Sequence, residues 1–221
     1  MNLLALSTST PRGSVALLQD GDVITATSYV DLQGHAERIF EAIERVLSDA
    51  GVSRSSIDAL ACDVGPGSFT GVRVGVATTK GIALALGKPL VGVVSLQAMA
   101  AAAFAEGAAG PDDVVVAAID AKKGEAFLAA YDASLDLLVA PSHRPATAEA
   151  FAALPLAKPP VIVGEIAAQL AIVRRSPAID LPDARWIARL AWPRVGRDAA
   201  TDAADLEPLY VRPPDTKPLA V

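Results

Sequence analysis

The 221-residue chain is 52% hydrophobic and 20% charged with a mean hydropathy of +0.39, which describes a folded globular protein and excludes a disordered one. A formal net charge of −6 argues against a broad nucleic-acid footprint, because phosphate contacts require clustered Lys and Arg. MNLLALSTST has neither the basic segment nor the apolar core of a signal peptide, and the longest uncharged stretch, 89–105, falls short of a membrane span, so a cytoplasmic protein is expected.

Residues 3–10, 14–19 and 23–29 are short apolar or β-branched runs separated by Pro-Arg-Gly and by Asp20-Gly21, and they predict an antiparallel meander. Ala36, Ile39, Phe40, Ile43, Val46, Leu47 and Ala50 recur at helical spacing opposite a charged face, predicting a helix over 36–50 ended by Gly51. A strand over 57–64 holds the single cysteine, Cys62, in the apolar run ALACDVG; one cysteine forms no intrachain disulfide and suits a reducing compartment. GPGSFTG follows, then a small-residue helix over 72–86 stopped by Gly87 and Pro89. A strand over 90–94 leads to Ser95, the expected N-cap of a helix to about residue 105, and EGAAGPDD at 106–113 reads as a linker.

Beyond the linker the pattern restarts, with strands over 114–121, 126–131 and 135–140, a short helix from Thr147 and a strand over 161–164. A meander followed by alternating helix and strand, used twice, predicts an α/β protein whose two similar lobes face each other across a cleft. Residues 141–160 and 176–204 are rich in Pro, Ala and Asp, with a short helical pattern at 184–191, so the second lobe reads as pared down.

GPGSFTGVRVGVA, residues 65–77, follows a strand and opens a helix. Gly65 and Gly67 permit positive φ and close approach, and Ser68 or Thr70 suits a cap on a helix whose free N–H groups and dipole favour an anion. The competing reading is a tight strand-to-helix turn in which Gly71, Gly75 and Gly81 let the helix pack closely; the motif lacks the Lys-Ser/Thr ending of a Walker loop. DAKKGEAF, 120–127, is either a charged wall of the cleft formed by Asp120, Lys122, Lys123 and Glu125 or a polar hairpin turn, the commoner role of such a segment. Arg73 and Lys80 share one helical face, directed at a partner or at solvent. His35 and His143 are isolated, so no metal site is expected, and His143 in its Pro-rich stretch reads as a solvated loop residue. Cys62, Ser68 and His35 lack a third orienting group, so no catalytic residue is assigned.

GPGSFTGVRVGVATTKGIALAL resembles the signature of the TsaB/YeaZ family. LLALSTST, GHAERIFEAIERVL, AAIDAKKGEAFLAAY and LEPLYVR resemble its first strand, its His-bearing first helix, its second-lobe hairpin and its C-terminal segment. The resemblance implies an actin/Hsp70-like ATPase (ASKHA) fold of two ribonuclease-H-like lobes with the second reduced. It places the first lobe at 1–106, completed by 205–221, and the second at 107–204.

The same resemblance implies a non-catalytic subunit of the bacterial machinery that makes threonylcarbamoyladenosine in tRNA. Such a subunit dimerises with its paralogue TsaD through first-lobe helices, works with the ATPase TsaE, depends on TsaC for threonylcarbamoyl-adenylate, forms a homodimer when alone and meets tRNA only indirectly. The absence of a His-x-x-x-His pair sets the chain apart from TsaD, and the older peptidase M22 label finds no support in its residues. In this fold an Asp of the first strand organises magnesium and water; the position here is Ser7, followed by Thr8, where many family members read Asp-Thr. A hydroxyl does not replace a carboxylate in holding a hard divalent cation.

By resemblance, nucleotide phosphate would touch Ser7, Thr8, Gly65, Gly67, Ser68 and Thr70. A partner would meet His35, Ile39, Phe40 and Ile43 of the first helix and Val72, Arg73, Val76 and Lys80 of the second. No intrinsic cofactor is expected, ATP or ADP being placed at the interface of the complex. The alternative is an ATPase or small-molecule kinase of the same fold, for which the GPGSFTG turn is the positive sign.

Overall fold

In the computed structural model, described over residues 1–31, 35–170, 179–195 and 205–212, the first three runs form the predicted meander. These are β1 (Asn2–Ser7), β2 (Arg12–Gln19) and β3 (Asp22–Val30), with Asp20 and Gly21 both at positive φ in the tight turn between the last two. β4 (Ala59–Asp63) and β5 (Leu90–Val93) add in parallel on the other side, in the order β3-β2-β1-β4-β5. β1, β2 and β4 are buried on both faces, which is why they read as nearly unbroken apolar runs; β3 is an edge strand and alternates.

One face of this sheet is covered by α1 (Arg38–Ala50) and α2 (Phe69–Leu86), which bring Ile39, Ile43, Val46, Val72 and Val76 against Leu4, Leu6, Leu17 and Leu60. α1 ends where Gly51 turns left-handed at φ 66 and its N–H reaches the Leu47 and Ser48 carbonyls. α2 starts three residues before the expected 72, because Ser68 caps it by accepting the Gly71 N–H at 3.2 Å. α3 (Ser95–Ala105) departs from expectation at its start. Val94 occupies the N-cap and Ser95 is the first helical residue, its hydroxyl drawn into a buried polar cluster described below.

The second sheet repeats the first without its last strand. β6 (Val115–Lys122), β7 (Glu125–Tyr131) and β8 (Leu137–Pro145) form a meander, and β9 (Val161–Val163) pairs in parallel with β6, giving β8-β7-β6-β9. α4 (Ala148–Ala152), capped by the Thr147 hydroxyl, and α5 (Ile166–Gln169) lie on the outer face, where Phe151 and Ile166 meet Val116 and Leu128. The reduced second lobe is therefore a four-stranded version of the same topology among the described residues.

Between the sheets lie α3 and α6 (Ala184–Ala191). α3, SLQAMAAAAFA, is apolar on every side, as a helix in a middle layer must be, and sets Leu96 and Met99 against Val115, Ala117 and Ala129 of the second sheet. α6 is capped by Asp183 and lays Ala184, Ile187, Ala188 and Ala191 on Leu3, Ala5, Ala16 and Val91. It thus packs on the first sheet, although it lies within the 107–204 segment expected to form the second lobe: its alanines suit close approach to the small residues of β1 and β2. Leu206 also enters the first-lobe core, while 196–204 and 213–221 lie outside the described residues. No described helix is long and apolar enough to cross a membrane.

Candidate functional site

The two lobes meet around the loop that joins β1 to β2, and Gly67 just before α2, with Gly71 and Gly75 inside it, determines how that loop sits. The three recur at four-residue spacing. A Cβ on Gly67 would overlap the Ser9 carbonyl oxygen, one on Gly71 the Thr8 carbonyl oxygen, and one on Gly75 the Thr8 hydroxyl. The loop lies directly on the helix: Ser9 O accepts from Ser68 N at 2.6 Å, and the Thr8 hydroxyl donates to Gly71 O at 2.8 Å. Close packing is therefore what the glycine stripe provides, and a carbonyl of the chain itself takes a donor at the helix start that an anion would use.

Beneath the loop lies Asp63, the last residue of β4 and fully buried. Its carboxylate accepts from the Ser7 hydroxyl at 2.7 Å, the Ser9 hydroxyl at 2.5 Å and the Thr8 N–H at 3.2 Å, with the Ser95 hydroxyl at 3.4 Å. Burial raises the Asp63 pKa above the ordinary aspartate range, and the hydrogen bonds from Ser9, Ser7 and the backbone oppose that rise without overcoming it. Sequence reading missed this residue; its one signal was a charge closing an otherwise apolar strand. The carboxylate absent at Ser7 is thus present beside it, on the neighbouring strand, and directed into the lobe.

A cavity of about 590 Å³ opens above the loop. Of the six positions expected to touch phosphate, Gly67, Ser68 and Thr70 line it; Ser7, Thr8 and Gly65 are buried behind it, their space filled by the lobe's own contacts. The opposite wall is the β6–β7 hairpin, where Lys122, Lys123 and Gly124 all take positive φ (65, 57 and 75). DAKKGEAF is the polar turn, and it also faces the cleft: Asp120 and Lys122 line the cavity, paired at 2.8 Å, whereas Lys123 and Glu125 do not line it. Partial burial works against the charged Asp120, but the Lys122 ammonium and N–H outweigh it and hold that carboxyl below the ordinary range.

The residues expected at a partner surface divide. Ile39, Ile43, Val72 and Val76 are buried in the chain's own core, because both helices turn their apolar stripes onto the sheet. His35 is buried as well; its Nε2 donates to Thr10 O at 2.9 Å and its ring meets Tyr29 edge-on, so it holds the β1–β2 loop rather than facing a partner. Phe40 remains outward at 53% exposure. Arg73 and Lys80 share a face as predicted, and both reach the C-terminal segment: Arg73 stacks 3.6 Å over Phe69 and donates to the Tyr210 hydroxyl at 2.9 Å, and Lys80 donates to Leu206 O at 3.1 Å.

His143 lies on β8 rather than in a loop, and its Nδ1 donates to Val211 O at 3.0 Å. The imagined nucleophiles are committed elsewhere: Cys62 is fully buried, which pushes its thiol up to about 12, and Ser68 caps α2. Among the described residues no cluster of His, Cys, Asp and Glu suits a metal ion.

The family model described as TsaD, tRNA N6-adenosine threonylcarbamoyltransferase, matches residues 30–183. The tRNA threonylcarbamoyladenosine biosynthesis protein TsaB of Escherichia coli is 41% identical over 133 residues, covering 59% of this chain and 55% of its own. Its Haemophilus influenzae counterpart is 42% identical over 127 residues, 58% and 52% respectively. The match thus spans about half the length of these curated relatives. An uncharacterised protein of Mycobacterium tuberculosis is 32% identical over 99% of this chain and 95% of its own.

A solved Pseudomonas aeruginosa structure described as similar to the peptidase YeaZ superposes with a TM-score of 0.80 at 30% identity, covering 96% of this chain and 99% of that one. YeaZ from the same organism follows at 0.77 and 29%, covering 95% and 99%. The doubled sheet topology and these full-length superpositions give the actin/Hsp70-like fold expected from the sequence, and the chain belongs to the TsaB/YeaZ family.

Proposed function

We propose that the chain is a non-catalytic scaffold subunit of the bacterial tRNA threonylcarbamoyladenosine machinery, pairing with the transferase TsaD and working with TsaE and TsaC in the cytoplasm. The observation that carries this reading is the inward-facing Asp63 cluster: the carboxylate nearest the first-lobe loop is held by Ser7, Ser9 and Thr8 instead of being offered to the cleft. The first-lobe wall then presents hydroxyls and backbone groups at Thr10, Gly67, Ser68 and Thr70, a poor set for a hard divalent cation. ATP or ADP belongs, in this proposal, at the interface of the complex. The net charge of −6 fits a subunit that meets tRNA through its partners.

Reconstitution tests it. With TsaD, TsaE and TsaC supplied to unmodified tRNA, modification is expected to require this chain; equal modification without it overturns the proposal. The outer surface of α1 and α2 is the proposed pairing surface, used for a homodimer when the chain is alone. Phe40→Glu is expected to leave the fold within about 0.5 kcal/mol of the parent, as for a surface change, yet to weaken TsaD binding at least about tenfold, near 1.4 kcal/mol. Ile39→Glu, by contrast, should unfold the lobe by burying an unpaired charge. Unchanged pull-down and calorimetric affinity for the Phe40 variant would remove this surface from the proposal.

A second reading, an ATPase or small-molecule kinase of the same fold, is favoured by the cavity, whose walls carry Ser68, Thr70 and Lys122. Calorimetry of the isolated chain with ATP and magnesium separates the two. Binding accompanied by turnover supports the enzyme.

A further inference from the structure

Residues 206–212 run from one lobe to the other across the mouth of the cavity, and their two ends are held by different physics. On the first lobe, beside the exposed contacts of Tyr210 with Arg73 and Phe69, the hold has a buried anchor. Leu206 sits in the core, its Cδ1 only 2.6 Å from where a Cβ on Gly92 would stand, so that glycine forms its socket. Leu209 N donates to Val64 O at 2.7 Å, extending the backbone pairing beyond β4. On the second lobe the hold is polar and partly exposed. Val211 O accepts from His143 on β8, and Arg212 Nη1 donates to Ala121 O at 3.2 Å and to Glu125 at 2.8 Å, both on the β6–β7 hairpin.

We infer that this segment is a strap that sets the opening of the inter-lobe cleft, anchored permanently on the first lobe and latched on the second by Arg212. The asymmetry indicates which end lets go: an apolar side chain in a core resists release, whereas an ion pair with side chains 24% and 34% exposed is weakened by salt and by competing charge. Leu209, Tyr210, Val211 and Arg212 also line the cavity, so releasing the latch changes the site itself. The inference stands apart from the proposed role in tRNA modification, since it concerns only how the two lobes are held.

Spin labels on Ser55→Cys in the turn before β4 and Ser134→Cys in the β7–β8 turn, both exposed, report the separation of the lobes by electron–electron double resonance, and the fully buried Cys62 does not compete for label. Diluted into an excess of unlabelled chain, so that a homodimer carries one labelled copy, the otherwise unaltered protein is expected to give a single narrow distance. Arg212→Ala, Glu125→Gln and molar salt should each broaden it toward longer distances, with melting temperatures near the parent's and with Arg212→Lys intermediate. If both the Arg212→Ala and Glu125→Gln proteins fold and keep the parent's narrow distance, the strap is not a latch; if only one folds, its distance decides in the same way.

Discussion

Gly71→Ala in α2 is expected to destabilise the protein by about 2 kcal/mol, while Gly81→Ala in the same helix should stabilise it by up to about 1 kcal/mol. Helix propensity favours alanine by roughly the same amount at both positions, since glycine loses more backbone entropy on folding. The surroundings decide the sign. At Gly81 nothing lies within 4 Å of the added Cβ. At Gly71 the Cβ would overlap the Thr8 carbonyl oxygen, a backbone atom that cannot move without disturbing β1 and its neighbours, and overpacking of this kind costs about 1–3 kcal/mol or more. Urea unfolding of the two variants beside the parent measures both effects. Equal stabilisation by the two would show that the loop is not seated on the helix as described.

The second large effect concerns the carboxylate beneath that loop. Ser7→Asp should destabilise by about 3–5 kcal/mol, because it sets a second buried carboxylate against Asp63. Asp63→Ala should also be costly, leaving the Ser7 and Ser9 hydroxyls and the Thr8 N–H without their acceptor, each at about 1–3 kcal/mol before relaxation. Combined, Ser7→Asp with Asp63→Ala returns one carboxylate to the cluster from the other strand. The double variant is therefore expected to be more stable than the sum of its singles predicts. Strict additivity would sink this account.

The same group gives a pH dependence whose sign follows from its raised pKa. Because the folded-state value lies above the unfolded one, the folded protein binds the proton more tightly. The contribution of Asp63 to stability is fullest below the ordinary aspartate range and is lost as the pH rises through the raised folded value. Asp63→Asn, which does not titrate, should remove that slope from a plot of unfolding free energy against pH.

Much of the fold was legible in the chain because its signals are local. The meander at the start, the amphipathic α1 with Gly51 after it and the restart at β6 each follow from periodicity and turn residues within a few positions. Errors gathered where a distant contact overrides local preference. Ser95 has the chemistry of a cap, yet its hydroxyl is drawn to Ser9 and Asp63, leaving Val94 in the capping position. α6 was legible as a helix but not as part of the first lobe, since nothing in ARWIARLA specifies which sheet its alanines will meet.

The candidate site divides along the same line. Composition and motif spacing by themselves determined the two-lobed α/β class, the glycine-rich strand-to-helix turn and the absence of clustered histidines, because all three are written in residue types at short range. Only the tertiary structure decided what those glycines do, which apolar stripes are interior, and where the missing carboxylate went. Each depends on residues tens of positions apart meeting at atomic distance: Thr8 with Gly71, Ile39 with the sheet, Ser7 with Asp63. Side-chain packing and the need to satisfy every buried polar group select among the many pairings that a sequence permits.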